Sequence, residues 1–145
     1  MNRHAWVGSS KKKEMPWGVE TSWAALPTIT GKKLEIFSGK CTSLKFHKGK
    51  NEVLFVASGK VTVMFASEKH FKDHIESPAK IRDLLPGQLL NVQAGCPYRI
   101  CAREDSIVYE ISDGTGSQAP IRLEDEYGRA IDDNNGEYRF IYPED

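Results

Sequence analysis

Short segments of alternating or continuous apolar residues recur about every ten residues through most of this chain, each closed by a glycine, proline or asparagine turn, and helical periodicity is scarce. A chain punctuated in this way folds as strands. The pattern predicts strands at Gly18 to Trp23, Lys33 to Phe37, Cys41 to His47, Glu52 to Ala57, Lys60 to Phe65, Ile81 to Leu84, Gln88 to Val92, Pro97 to Ala102 and Ser106 to Ser112. Turns fall at Thr30-Gly31, Ser38-Gly39, Ser58-Gly59, Leu85-Pro86-Gly87 and Ala94-Gly95. Parallel strands need crossovers of a dozen or more residues, and the connections leave no room for them. An antiparallel all-β architecture, closed or nearly closed into a barrel, is therefore expected over residues 16–112. Residues 1–15 read as a mobile leader, and 113–145 as a tail docking on the barrel or on a partner subunit.

Within this frame, the polar stretch between Ala66 and Ala79 reads as a surface loop or one helical turn. The segment DGTGSQ that opens the tail reads as a flexible link, and the alternation of Tyr138, Phe140 and Tyr142 as a docking strand. A chain of 145 residues can bury one core and is too short for two ordinary domains. Lys+Arg and Asp+Glu each total 20, which gives no bias toward nucleic acid or an anionic membrane and favours a small ligand. No stretch reaches the roughly 20 apolar residues that span a bilayer. The basic leader lacks the apolar segment and cleavage site of a secretory signal, so a cytoplasmic location is expected. Cys41, Cys96 and Cys101 are an odd number without CxxC or CxxH spacing, and they read as free, buried thiols in a reducing compartment.

The chemistry concentrates in SLKFHKGKNEVLFVASG, residues 43–59. Side chains alternate along a strand, so Ser43, Lys45 and His47 share one face, and Glu52 returns to meet His47 across the turn at Lys48 to Asn51. An imidazole and a carboxylate facing one another in a barrel mouth suit metal binding, acid–base chemistry or ligand recognition. The plain alternative is a hydrogen-bonded pair that steadies the turn.

Together with Pro86 to Ile100, PGQLLNVQAGCPYRI, this stretch resembles the two halves of the cupin signature. The similarity is to the cupin domain of type II mannose-6-phosphate isomerases, including those fused to a mannose-1-phosphate guanylyltransferase. Met15-Pro16-Trp17-Gly18, Lys32-Lys33-Leu34 and the late Ile121-Arg122-Leu123-Glu124-Asp125-Glu126-Tyr127-Gly128-Arg129 match in the same order. The resemblance implies a single-domain cupin fold, a double-stranded β-helix or jelly-roll barrel. It also implies a divalent metal held by a glutamine, a histidine, a glutamate and a second histidine. At those positions this chain has Lys45, His47, Glu52 and Tyr98, so two of the four ligand positions are substituted, and Gly49 stands where many cupins carry a further histidine. An ammonium offers donors and no lone pair, and a neutral tyrosine is a poor ligand. The expectation that follows is a fixed Lys45 ammonium in place of the cation, paired with Glu52.

The resemblance further implies a sugar-phosphate ligand, with Arg122 toward the phosphate and Lys33 and Tyr98 lining the site. His47, Glu52 and Lys45 are the candidate catalytic groups for an aldose–ketose isomerisation. Two alternatives are a binding module that has lost its metal and a metal-free epimerase with His47 as base and Tyr98 as acid. A homodimer is expected, by strand exchange or edge pairing of the terminal segments. Arg99 alternates away from Tyr98 and reads as a surface or interface charge, while His70 and His74 read as loop residues. Trp17 and Trp23 read as core or rim aromatics.

Overall fold

A computed structural model describes residues 2–114, 119–129, 131 and 136–143. Two antiparallel sheets face each other. One has six strands in the order β1-β2-β3-β10-β5-β8 and the other five in the order β11-β4-β9-β6-β7. The large sheet contains β1 (Lys11–Met15), β2 (Gly18–Leu26), β3 (Ile29–Ile36), β10 (Ser106–Asp113), β5 (Glu52–Ser58) and β8 (Leu89–Val92). The smaller contains β11 (Ile121–Glu124), β4 (Leu44–Phe46), β9 (Tyr98–Ala102), β6 (Val61–Phe65) and β7 (Lys80–Leu84). The expected antiparallel all-β domain is present, and each of the nine anticipated segments contributes a strand. The stretch between Ala66 and Ala79 holds one 3₁₀ turn, Glu68–Phe71.

The period-two pattern explains the core. On β3 Leu34 and Ile36 point inward, on β5 Leu54 and Val56, and on β6 Val61 and Val63, all 5% exposed or less. They meet Trp17, Ile100 and Val108 between the sheets. The Ser58-Gly59 turn needs its glycine, because φ is +85° and a Cβ would lie 2.5 Å from the Asp105 carbonyl oxygen.

Two strands escaped the sequence pattern. Part of the expected leader, Lys11–Met15, is strand β1, paired along its length with β2. Its run of lysines gives no apolar alternation, so the neighbouring strand rather than the local sequence defines it. Part of the tail is strand β11, paired with β4. The link at residues 115–118 lies outside the described residues. The Tyr138–Tyr142 segment docks, but not as a strand: Tyr138 stacks edge-on against Phe46, 4.9 Å between centroids, and Phe140 lies 4.8 Å from His70. His70 is buried and fully used, with Nδ1 at 2.8 Å from the Ser77 carbonyl and Nε2 accepting the Ile141 N–H at 3.0 Å.

The cysteine reading is corrected: Cys41 and Cys101 form a disulfide, leaving Cys96 free. The two residues are 60 apart in sequence, and only the lead-in to β4 lying beside β9 brings them together. No spacing rule reports a contact that topology alone creates. Reduction of this cross-link is expected to cost about 2–4 kcal/mol of stability. Urea unfolding with and without dithiothreitol measures it as a lowered midpoint.

Candidate functional site

The inner face of the large sheet is apolar at one end and polar at the other. Along β10 the inward residues run Ser106, Val108, Glu110, Ser112, and the cross-strand partners of the last two are Lys32 on β3 and Glu52 on β5. Across the barrel, β11, β4 and β9 place Arg122, Lys45 and Tyr98 side by side in one row. A cavity of about 250 Å³ lies between these walls, lined among others by Lys13, Glu20, Lys32, Lys45, His47, Lys50, Tyr98, Glu110, Arg122 and Arg129.

Glu52 is the centre of the contacts. The Tyr98 hydroxyl donates to its Oε1 at 3.0 Å, and His47 Nε2 lies 3.5 Å from the same oxygen. Lys50 Nζ stands 3.9 Å from Oε2, which is buried and has no hydrogen-bond partner. Burial pushes the Glu52 carboxyl up to about 7, Glu110 adding to the shift and Lys50 and Lys45 opposing it. Glu110 raises it both by its charge and by hydrogen bonding to the protonated form. Burial and the ammonium groups of Lys50, Lys45 and Lys32 hold His47 down to about 3. The imidazole is therefore neutral at ordinary pH, and its approach to Glu52 is not an ion pair.

The ion pair expected between Lys45 and Glu52 does not form within 4.0 Å; Lys50 takes that place. Lys45 instead lies with Nζ 5.2 Å from the centre of the Tyr98 ring. Desolvation lowers its pKa, although Glu110 and Glu52 counter the effect. Tyr98, fully buried, has its pKa raised by that burial and by the two carboxyl groups, so it is a phenol and a hydrogen-bond donor.

His47, Glu52, Lys45, Tyr98 and Arg122 are thus brought together, and Lys33 is not. Lys33 is on the outward side of β3 beside Glu35, at 3.8 Å, whereas Lys32 faces the cavity and pairs with Glu20 at 3.2 Å. Counting alternate positions back from Leu34 would have chosen Lys32. Glu110 was missed for the opposite reason: Ile107, Tyr109 and Ile111 look like the core face of β10, yet they point outward. Arg99 does face away from Tyr98, but it is buried and not a surface charge. Its Nε donates to the Thr42 carbonyl at 3.0 Å and a terminal nitrogen reaches the Glu124 carbonyl at 3.4 Å.

Arg99 is one of three fasteners of the tail. The Tyr127 hydroxyl donates to the Cys41 carbonyl at 2.8 Å and accepts the Cys41 N–H at 3.3 Å. Arg122 Nε donates to Ser43 Oγ at 3.3 Å, and Arg129 is held by Asp125 at 2.8 Å. These contacts fix two guanidinium groups at the cavity wall.

The fold places this geometry among known proteins. No family model matches the chain, and no curated protein does. Solved structures match at low identity. KdgF from Halomonas sp. superposes with a TM-score of 0.61 at 16% identity, over 74% of this chain and 88% of that one. A deletion mutant of Bacillus subtilis oxalate decarboxylase OxdC gives 0.65 at 18% identity, over 83% and 33%. The Lactobacillus farciminis oxalate decarboxylase formate complex gives 0.60 at 20% identity, over 80% and 36%. The fold is a cupin fold. The chain spans about a third of the oxalate decarboxylase chains and most of KdgF.

The divalent metal implied by the resemblance does not fit the residues present. Among the described residues no group of three or more His, Cys, Asp or Glu side chains is placed to hold a metal ion. Two of the ligand positions are occupied by Lys45, whose pKa desolvation lowers against the opposing pull of Glu110 and Glu52, and by Tyr98, a phenol that burial keeps protonated. Lys13, Lys32 and Lys50 on the cavity wall add charge that repels a cation.

Proposed function

We propose that this cupin binds a sugar phosphate and interconverts its aldose and ketose forms without a metal. One observation carries the reading: a buried carboxyl group poised near neutrality, held by Tyr98 and flanked by His47 and Lys50, three side chains that themselves line a cavity whose wall is rich in lysine and arginine. Basic side chains on one wall suit the phosphate, Arg122 foremost, because a guanidinium binds such oxygens in a bidentate way.

In the reaction, deprotonated Glu52 takes the proton from the carbon next to the carbonyl and returns it to the neighbouring carbon. Lys45 carries the charge that developing oxyanion density requires, and neutral His47 relays the hydroxyl proton. Incubation of mannose 6-phosphate in D₂O with excess chelator tests this. Fructose 6-phosphate carrying deuterium at carbon 1 is expected; tight binding without exchange favours the non-enzymatic module, and neither binding nor exchange rejects the proposal. Arg122→Lys is expected to raise KM for the phosphorylated sugar about tenfold while leaving kcat within about twofold, since it weakens binding common to ground and transition states.

A further inference from the structure

Three lysines in a row open β1, and the pleat sorts them. Met15 packs against the core between the sheets, so Lys13, two positions before it, faces the same way and lines the cavity, while Lys12 alternates to the outward side. β1 and β11 are edge strands of the two sheets, and the cavity takes lining residues from both, Lys13 from one and Arg122 from the other. The opening between these edges therefore has a cation on each lip.

Neither of these cations has a carboxylate partner. Most other basic groups on the wall are engaged: Lys32 with Glu20 at 3.2 Å, Lys50 with Glu52 at 3.9 Å and Arg129 with Asp125 at 2.8 Å, while Lys45 lies deeper, over the Tyr98 ring. Glu20 stands opposite Lys13 in the β1–β2 register, but it is Lys32 that reaches its carboxylate. Among the described residues Lys13 forms no ion pair or side-chain hydrogen bond, and Arg122 donates only to the neutral Ser43 hydroxyl. Two like charges facing each other across an opening repel, and an anion between them relieves the repulsion.

Given a sugar phosphate as the ligand, as argued above, we propose that Lys13 and Arg122 grip its phosphate from opposite sides of the cavity mouth. A phosphomonoester carries about −1.5 to −2 charge at neutral pH, which matches two unpaired cations. The guanidinium forks two phosphate oxygens, and the ammonium, a compact charge with three donors on a flexible stem, takes the third from the other lip. Lys13 is in this way a binding residue that selects the phosphorylated sugar over the free one.

Titration calorimetry with mannose 6-phosphate, inorganic phosphate and mannose tests the clamp on the full chain. Lys13→Gln is expected to weaken both phosphate probes about tenfold, the loss of one charge-assisted contact, and to leave mannose within about twofold. Lys13→Arg is expected to keep the affinity, and Lys12→Gln, one residue away on the outward side, to change nothing. Lys13 is exposed on an edge strand, so an unchanged circular dichroism spectrum is expected. Unaltered phosphate affinity in Lys13→Gln beside a loss in Arg122→Lys overturns the clamp and leaves the isomerisation standing. Equal losses in Lys12→Gln and Lys13→Gln overturn it too, since overall charge then accounts for them. Phosphate binding that depends on Lys13 without turnover upholds the clamp and rejects the isomerisation, and a wild type that binds neither phosphate probe rejects both.

Discussion

Glu52→Gln is expected to lower turnover in the proposed isomerisation by about 10²–10⁴-fold while making the protein more stable above pH 7. The two effects have one cause. Glutamine keeps an oxygen for the Tyr98 hydroxyl and removes a charge whose burial, reinforced by Glu110, pushes the carboxyl up to about 7. The folded protein binds the Glu52 proton more tightly than the unfolded chain, so that contribution is complete below about 4.5 and is lost as pH rises through about 7. Its full loss is on the order of 3 kcal/mol.

His47 has the opposite sign. Held down to about 3, it stabilises fully above 6.5 and progressively less as pH falls. Between about 4.5 and 6.5 the two slopes oppose each other in the wild type. Removing the carboxyl exposes the His47 slope, and stability of Glu52→Gln is expected to rise with pH across that interval. Urea midpoints at half-unit pH steps measure it, and the acid limb of the rate profile near pH 7 is expected to vanish with the same substitution.

The second large effect is a gain. The double substitution Lys45→Gln with Tyr98→His restores the ligand set that the resemblance implies around His47 and Glu52. It removes a buried lysine and supplies a carbonyl oxygen and an imidazole nitrogen, the donors that first-row divalent metals accept. The variant is expected to hold about one equivalent of divalent metal after dialysis and to gain thermal stability with added metal. Either single substitution leaves one unsuitable group in place and is expected to bind weakly. Titration calorimetry with manganese or zinc reads the difference.

Much of this arrangement could be read from the sequence, and the parts that could not share a physical reason. Alternation within one segment fixed which of Ser43 to His47 share a face; Glu52 does come within 3.5 Å of His47, but across the gap between the sheets, because β4 and β5 belong to different sheets and form no hairpin. Only the first is a local relation. Lys50 and Glu110 join the site through a turn and a distant strand, and the apolar residues flanking Glu110 advertised the wrong face as buried. On β10 the apolar Ile107, Tyr109 and Ile111 point outward, and Glu110 turns inward to line the cavity. The Cys41–Cys101 link and the tail fasteners at Cys41, Thr42 and Ser43 likewise depend on strand order, which no local spacing encodes.

The account rests on Lys45 and Tyr98, at two of the four ligand positions that the resemblance implies, leaving His47 and Glu52 without a tightly held divalent metal. Elemental analysis of protein purified without chelator, scored beside turnover of the same sample before and after chelation, tests that most directly. Far less than one equivalent of divalent metal and unchanged turnover are predicted. One equivalent of metal, lost together with activity on chelation and absent from His47→Ala, would contradict it.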